Sequence, residues 1–204
     1  STERIIAIHD AQKEFFRSGA TLDIKFRKEM LVKLLDAMNR WEKELTDALW
    51  TDLHKSYEEA YLTEISIVKG EIKTHLRKVA GWARRRKAHS PIKLFPSRSY
   101  IVKEPLGSSL IISPWNYPVQ MVFSPLIAAL AAGNCVAIKP SDLAPKTQKI
   151  VETIIKETFE KDHVRFFVGG KEVGQELLKE KFDHIFFAGN QENGKYVMHA
   201  AAEH

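Results

Sequence analysis

The sequence predicts an α/β protein in which a helical region precedes a doubly wound parallel sheet. Three observations predict it. Apolar residues recur at three- and four-residue steps through residues 1–90, the spacing of helices with one buried face. Short apolar runs near Leu110–Ile112, Cys135–Ile138, Val164–Val168 and His184–Phe187 then alternate with helical segments, an order that builds right-handed β-α-β units. The first two runs are continuously apolar, as strands covered on both faces are.

In order, Ile5, Ile8, Gln12 and Phe15 place one face on a helix over residues 1–18, which Gly19 ends. Asp23 caps a second, longer helix with a stripe of Phe26, Met30, Leu34, Met38, Trp41, Leu45 and Leu49. The pattern breaks over 50–56. A third helix aligns Tyr61, Ile65, Val68, Ile72, Leu76, Val79 and Ala83 and ends on the basic run Arg84–Lys87. That run reads as a solvated helix end whose cations complement the helix dipole, with the helical region stopping at His89-Ser90-Pro91. Tyr100–Val102 gives a short edge strand between prolines.

The organising stretch is Leu110–Ser141. Ser113-Pro114 stops the strand Leu110–Ile112, and Pro118 suits the first turn of a buried helix over Val119–Ala132. Gly133 follows as its C′ residue, and Cys135–Ile138 forms the next strand. Downstream, Ile150, Val151, Ile154, Ile155 and Phe159 share a helix face. Gly169-Gly170 turns the chain into the helix of Val173, Leu177 and Leu178, and a last helix runs from Gly194 to Glu203.

Composition bounds the function. Hydrophobic residues make up 44% and charged residues 28%, which places the chain among soluble globular proteins. A formal charge of +5 is too small to argue for nucleic acid. The single cysteine excludes an internal disulfide and is compatible with a cytoplasmic location. Ser1–Ile8 has no leader-like apolar core, and Pro118–Ala132, the most apolar segment, falls short of a membrane span. No histidine pair has metal-ligand spacing; His199 and His204 are five apart.

Ligands of open α/β sheets bind beyond the carboxyl ends of the strands, where Trp115, Asn116, Lys139, Ser141 and Asp142 emerge. Gly189–Lys195, GNQENGK, approaches a phosphate loop, but Tyr196 stands where a magnesium-binding Ser or Thr belongs. A helix N-terminus after that strand would accept phosphate oxygens in either a hydrolase or a dinucleotide site. The residues alone leave these alternatives open.

PWNYP at 114–118, AALAAGNCVAIKPSDLAPKT at 128–147 and Phe-Phe-Ala-Gly-Asn at 186–190 resemble the aldehyde dehydrogenase superfamily, most of all its class 3 branch. The resemblance covers nearly the whole chain. It implies an aldehyde dehydrogenase-like, Rossmann-like sheet, incomplete at the C-terminus, that binds NAD or NADP without a GxGxxG fingerprint. Residues 1–90 become helices packing on the cofactor domain, 91–105 outlying strands for subunit contact in a homodimer, and 106–204 the truncated dinucleotide-binding sheet.

The cofactor positions it implies are Ile112, Trp115, Lys139, Ser141, Asp142, Gly170, Phe187, Gly189, Asn190 and Gly194. Lys139 and Asp142 would hold the adenosine ribose, and the pyrophosphate would lie near Gly189 and Asn190. Asp142 replaces the family's usual glutamate, so NADP is expected alongside NAD. Ala188 and Asn190 replace a threonine and a serine. Asn116 would donate to the oxygen that becomes negative when a thiolate attacks a small-molecule aldehyde. The family's catalytic cysteine and its Glu-Leu-Gly-Gly-Lys general-base segment are not in this sequence. Cys135 matches instead a buried structural cysteine. The chain alone is therefore expected to oxidise no aldehyde, and the rival reading is a non-catalytic dinucleotide-binding or subunit-interaction module.

Overall fold

A computed structural model describes residues 2–204; Ser1, which the sequence places in the first helix, lies outside the described residues, as do the side chains of Thr2 and Arg4. Helix α1 (Thr2–Arg17) ends where Gly19 turns left-handed at φ 79°. Asp23 caps α2 (Ile24–Arg40), its Oδ1 accepting the Lys25 N–H at 2.9 Å.

The second helix is two helices rather than one. Trp41, at φ −95° and ψ 10°, separates α2 from α3 (Glu42–Leu53), and its indole N–H donates to Glu157 Oε2 at 3.0 Å. The backbone ladder survives the break, because Trp41 N–H still reaches Ala37 O and Leu45 N–H reaches Trp41 O. The stripe therefore stays in phase across it, and Leu34, Met38, Leu45 and Leu49 are all fully buried. Helix α3 runs on to Leu53, so the break expected over 50–56 narrows to 54–56, where His54 takes the left-handed conformation at φ 55°.

Tyr57–Ala60 (α4), a π-turn at Tyr61–Ile65 and Ser66–Ala83 (α5) form one continuous helical run. It stops seven residues before Ser90. Arg84 is extended, and Arg86–Ala88 is strand β1, paired antiparallel with β2 (Ser99–Ile101). Half of the basic run, Arg86 and Lys87, is thus edge strand and not helix end: Arg85 before it leans over the Tyr100 ring, 4.6 Å from its centroid, and cross-strand pairing satisfies backbone groups that helix continuation would otherwise have used.

The main sheet holds β3 (Ser108–Ile112), β4 (Cys135–Lys139), β5 (Val164–Phe166) and β6 (His184–Phe187), all parallel, in the order β5-β4-β3-β6. Helices α6 (Gln120–Ala132) and α7 (Pro145–Thr158) carry the chain outward from β3. After β5, α8 (Lys171–Leu177) returns it to the far side of β3, and α9 (Gln191–Ala202) follows β6. The strand order therefore reverses between β3 and β6.

Alternate residues separate the two faces. Ile111, Val136 and Ile138 join the larger core with α2, α3, α5, α6 and α7. Leu110 and Ala137 join the smaller one with Ile5 of α1, Leu177 of α8 and Val197 of α9.

Helix α6 is held by charge at both ends. Glu64 Oε2 accepts the N–H groups of Val119 and Gln120 at 2.8 and 3.1 Å. At the other end the buried guanidinium of Arg27 donates to Ala131 O at 3.1 Å. Both signs oppose the helix dipole. Gly133, at φ 93°, leaves the room Arg27 needs: a Cβ there would stand 2.5 Å from its Nη2.

Candidate cofactor and active site

Sheet register assembles the site. Ile112 pairs with Lys139 on one side and with Phe187 on the other, so three side chains stand abreast at the carboxyl ends of β4, β3 and β6. By strand alternation they project toward α8 and α9. Beyond them opens a crevice of about 400 Å³ lined also by Trp115, Ser141, Asp142, Gly170, Gly189 and Asn190. It sits at the switch in strand order, where doubly wound sheets bind ligands.

Two anticipated residues lie elsewhere. Gly194 does not open the last helix: that helix starts at Gln191, three residues earlier than the sequence suggested, and Gly194 sits within it. Only 188–190 separate β6 from α9, so GNQENGK folds as the start of a helix and not as a phosphate-wrapping loop. Gly194 instead backs the Phe187 ring, with a Cβ there 3.5 Å from Cε1. Asn116 belongs to the turn above β3 but is not among the crevice's lining residues.

Within the crevice the charges are mixed. Lys139, 6% exposed, donates from Nζ to Pro140 O at 2.6 Å. Burial lowers its pKa, while Asp142 and Glu172 nearby oppose that shift. The two carboxylates converge: a Cβ at Gly170 would lie 2.7 Å from Glu172 Oε2 and 3.6 Å from Asp142 Oδ2. Lys171 adds a cation to the lining. Asn190 caps α9, its Oδ1 accepting the Asn193 N–H at 2.9 Å, which leaves its amide NH₂ and the N–H groups of Gln191 and Glu192 at the helix start.

Comparison with known families decides what frame this is. The model of the aldehyde dehydrogenase family matches residues 1–204. The chain belongs to the aldehyde dehydrogenase family. It is 45% identical over 191 residues to 4,4'-diaponeurosporen-aldehyde dehydrogenase of Staphylococcus aureus, covering 94% of this chain and 42% of that one. It is 40% identical to aldehyde dehydrogenase family 3 member B1 of Bos taurus, covering 94% and 41%. Among solved structures it superposes on the substrate-bound state of Staphylococcus aureus AldH with a TM-score of 0.95 at 44% identity, covering 98% of this chain and 43% of that one. It superposes on the NAD+ complex of a point mutant of betaine aldehyde dehydrogenase from the same organism with a TM-score of 0.86 at 26% identity, covering 99% and 41%. The chain spans about two-fifths of the length of the curated relatives it matches.

Cys135 does not belong to this aldehyde dehydrogenase crevice. It opens β4 at the amino end, while Lys139 closes it at the carboxyl end, a span of about 13 Å along a strand. Its side chain is fully buried, and burial, with Asp162 nearby, pushes the thiol pKa up to about 12. A thiol in that state is a packing group rather than a nucleophile.

Lys171, Gln175 and Asn193, which line the crevice from α8 and α9 beside Tyr196, carry no mark in the sequence pattern, and the pair Lys55 and Glu64 was passed over as well. A signal for Glu64 was present. It falls in four-residue steps between Ala60 and Val68, and all three are fully buried. A carboxylate on the apolar face of a helix needs a partner. Among the described residues no three His, Cys, Asp or Glu side chains form a metal-binding group, and no helix is long and apolar enough to cross a membrane.

Proposed function

We propose that these residues form the cofactor-side part of a longer NAD(P)-dependent aldehyde dehydrogenase that oxidises small aldehydes to carboxylic acids. The observation that carries the reading is the row Ile112, Lys139 and Phe187 facing the crevice at the strand-order switch. The residues present fit a dinucleotide. Among the described residues Lys139 has one hydrogen bond, to Pro140 O, so the ammonium keeps donors for the hydroxyls of the adenosine ribose, and Asp142 offers an acceptor beside it. The start of α9, with the Asn190 amide and free backbone N–H groups, suits pyrophosphate oxygens. Ile112 and Phe187, side by side on neighbouring strands, give one apolar surface against which a base can lie.

Bound NAD(P)⁺ supplies the hydride acceptor. This chain's part is to orient it and, through the Asn116 amide, to stabilise negative charge on the aldehyde oxygen. Asp142 and Glu172 repel a 2′-phosphate while Lys139 and Lys171 attract it, and that balance supports acceptance of NADP as well as NAD. The nucleophile lies outside these residues, since the one thiol is buried at the opposite sheet edge. We further propose a cytoplasmic homodimer joined through the β1–β2 hairpin, whose connecting segment exposes 88% of Ile92 and 85% of Phe95.

The test compares the 204 residues with the full-length protein. Given an aldehyde and NAD or NADP, the full-length protein should accumulate reduced cofactor and the 204 residues should not. Turnover by the shorter chain that vanishes on Cys135→Ser would overturn the assignment.

A further inference from the structure

A buried ion pair reaches the turn that carries Asn116 from both sides. Lys55 Nζ lies 2.7 Å from Glu64 Oε1 and donates to the backbone carbonyl of Asn116 at 2.8 Å. It also stands 4.0 Å from the centre of the Tyr117 ring. The second oxygen of Glu64 takes the N–H of Val119 at 2.8 Å. One carboxylate–ammonium unit thus fixes a carbonyl before Pro118 and an N–H after it. Glu64 is fully buried and the Lys55 side chain is 10% exposed.

The backbone around the pair is unusual on both sides. Lys55 follows His54, a non-glycine residue at φ 55°, and Glu64 lies inside the π-turn Tyr61–Ile65. Each departs from ordinary helix geometry, and π-turns collect at functional positions. Burying both charges carries a desolvation penalty that a well-packed apolar pair avoids. What an apolar pair lacks is the ability to hold a carbonyl and an N–H of a turn at set positions. The Asn116 side chain is exposed and, among the described residues, has no hydrogen-bond partner, so its own contacts do not aim it.

We propose that Lys55 and Glu64 are positioning residues for Asn116, fixing the Trp115–Pro118 turn so that its amide meets the developing oxyanion. This rests on Asn116 being the oxyanion donor. In the full-length enzyme, under conditions limited by chemistry, Lys55→Met should lower kcat about tenfold or more while leaving cofactor KM unchanged. In an Asn116→Ala background the same change should cost less than about twofold, because the group it positions is gone. Additive losses would show that Lys55 acts on something other than Asn116 and would overturn the inference.

Lys55→Met leaves Glu64 unpaired and risks misfolding, so the paired variant Lys55→Met with Glu64→Gln is measured beside it. Hydrogen–deuterium exchange of residues 115–120 should quicken in that variant while β3 and β4 keep their protection. Unchanged exchange would overturn the inference whatever Asn116 does. Quickened exchange with an Asn116→Ala enzyme of undiminished kcat would instead retire the oxyanion role and leave the pair as a holder of the turn.

Discussion

The ring of Phe187 occupies the space a side chain at Gly189 would need: a Cβ built at Gly189 stands 2.5 Å from Phe187 Cζ. Phe187 is one of the three side chains abreast at the mouth of the crevice. Gly189 thus sets where that wall lies, in addition to leaving the backbone bare near the start of α9.

Gly189→Ala should therefore push the Phe187 ring out of its place beside the crevice. We predict that dinucleotide affinity of the full-length protein falls roughly tenfold, about 1.4 kcal/mol, while Gly194→Ala, whose Cβ would meet the ring at an ordinary 3.5 Å, changes it little. Calorimetric titration with NAD checks both, and equal effects would remove the distinction.

His163 contributes to acid stability. It is buried beside Phe15, Phe26 and Phe159, and burial lowers its pKa from 6.5 to about 4. The unfolded chain takes up this proton at a higher pH than the folded one, so the contribution is complete above about 6.5, drains away as pH falls toward 4, and changes no further below that. Melting temperatures should drop across this window, and His163→Phe, which keeps the aromatic cluster, should flatten the drop. An identical pH profile in the variant would contradict this.

Cys135 should be inert to thiol reagents in the folded protein. With its pKa pushed up to about 12 and no exposed surface, an aromatic disulfide reagent should label it only after denaturant is added. Rapid stoichiometric labelling of the native chain would show an accessible thiol.

Much of this was legible in the sequence because side-chain pattern and backbone geometry agreed. The run Leu110–Ile112, the glycine at 133 and the strand at 135 reported their own conformations, and nine of the ten anticipated cofactor positions line one crevice because strand register brings them there. What escaped has two physical causes. Trp41 and the π-turn at Tyr61–Ile65 interrupt helices without shifting the apolar stripe, so periodicity carries no trace of them. The start of α9 lies three residues before Gly194 because Asn190, which the family pattern marks as a phosphate contact, also caps the helix. The pairing of Lys55 with the Asn116 carbonyl joins positions 61 residues apart, and a backbone acceptor leaves no mark in sequence.

The account turns on Lys139. Its ammonium is buried at the carboxyl end of β4, with one hydrogen bond among the described residues, and is assigned to the adenosine ribose. The most direct measurement is calorimetric titration of NAD into the full-length protein and its Lys139→Ala variant, with melting temperatures recorded without cofactor. We predict that the variant stays folded and binds NAD roughly ten- to a hundredfold more weakly, the loss of a charge-assisted hydrogen bond. NAD affinity unchanged in a folded Lys139→Ala variant would contradict the account.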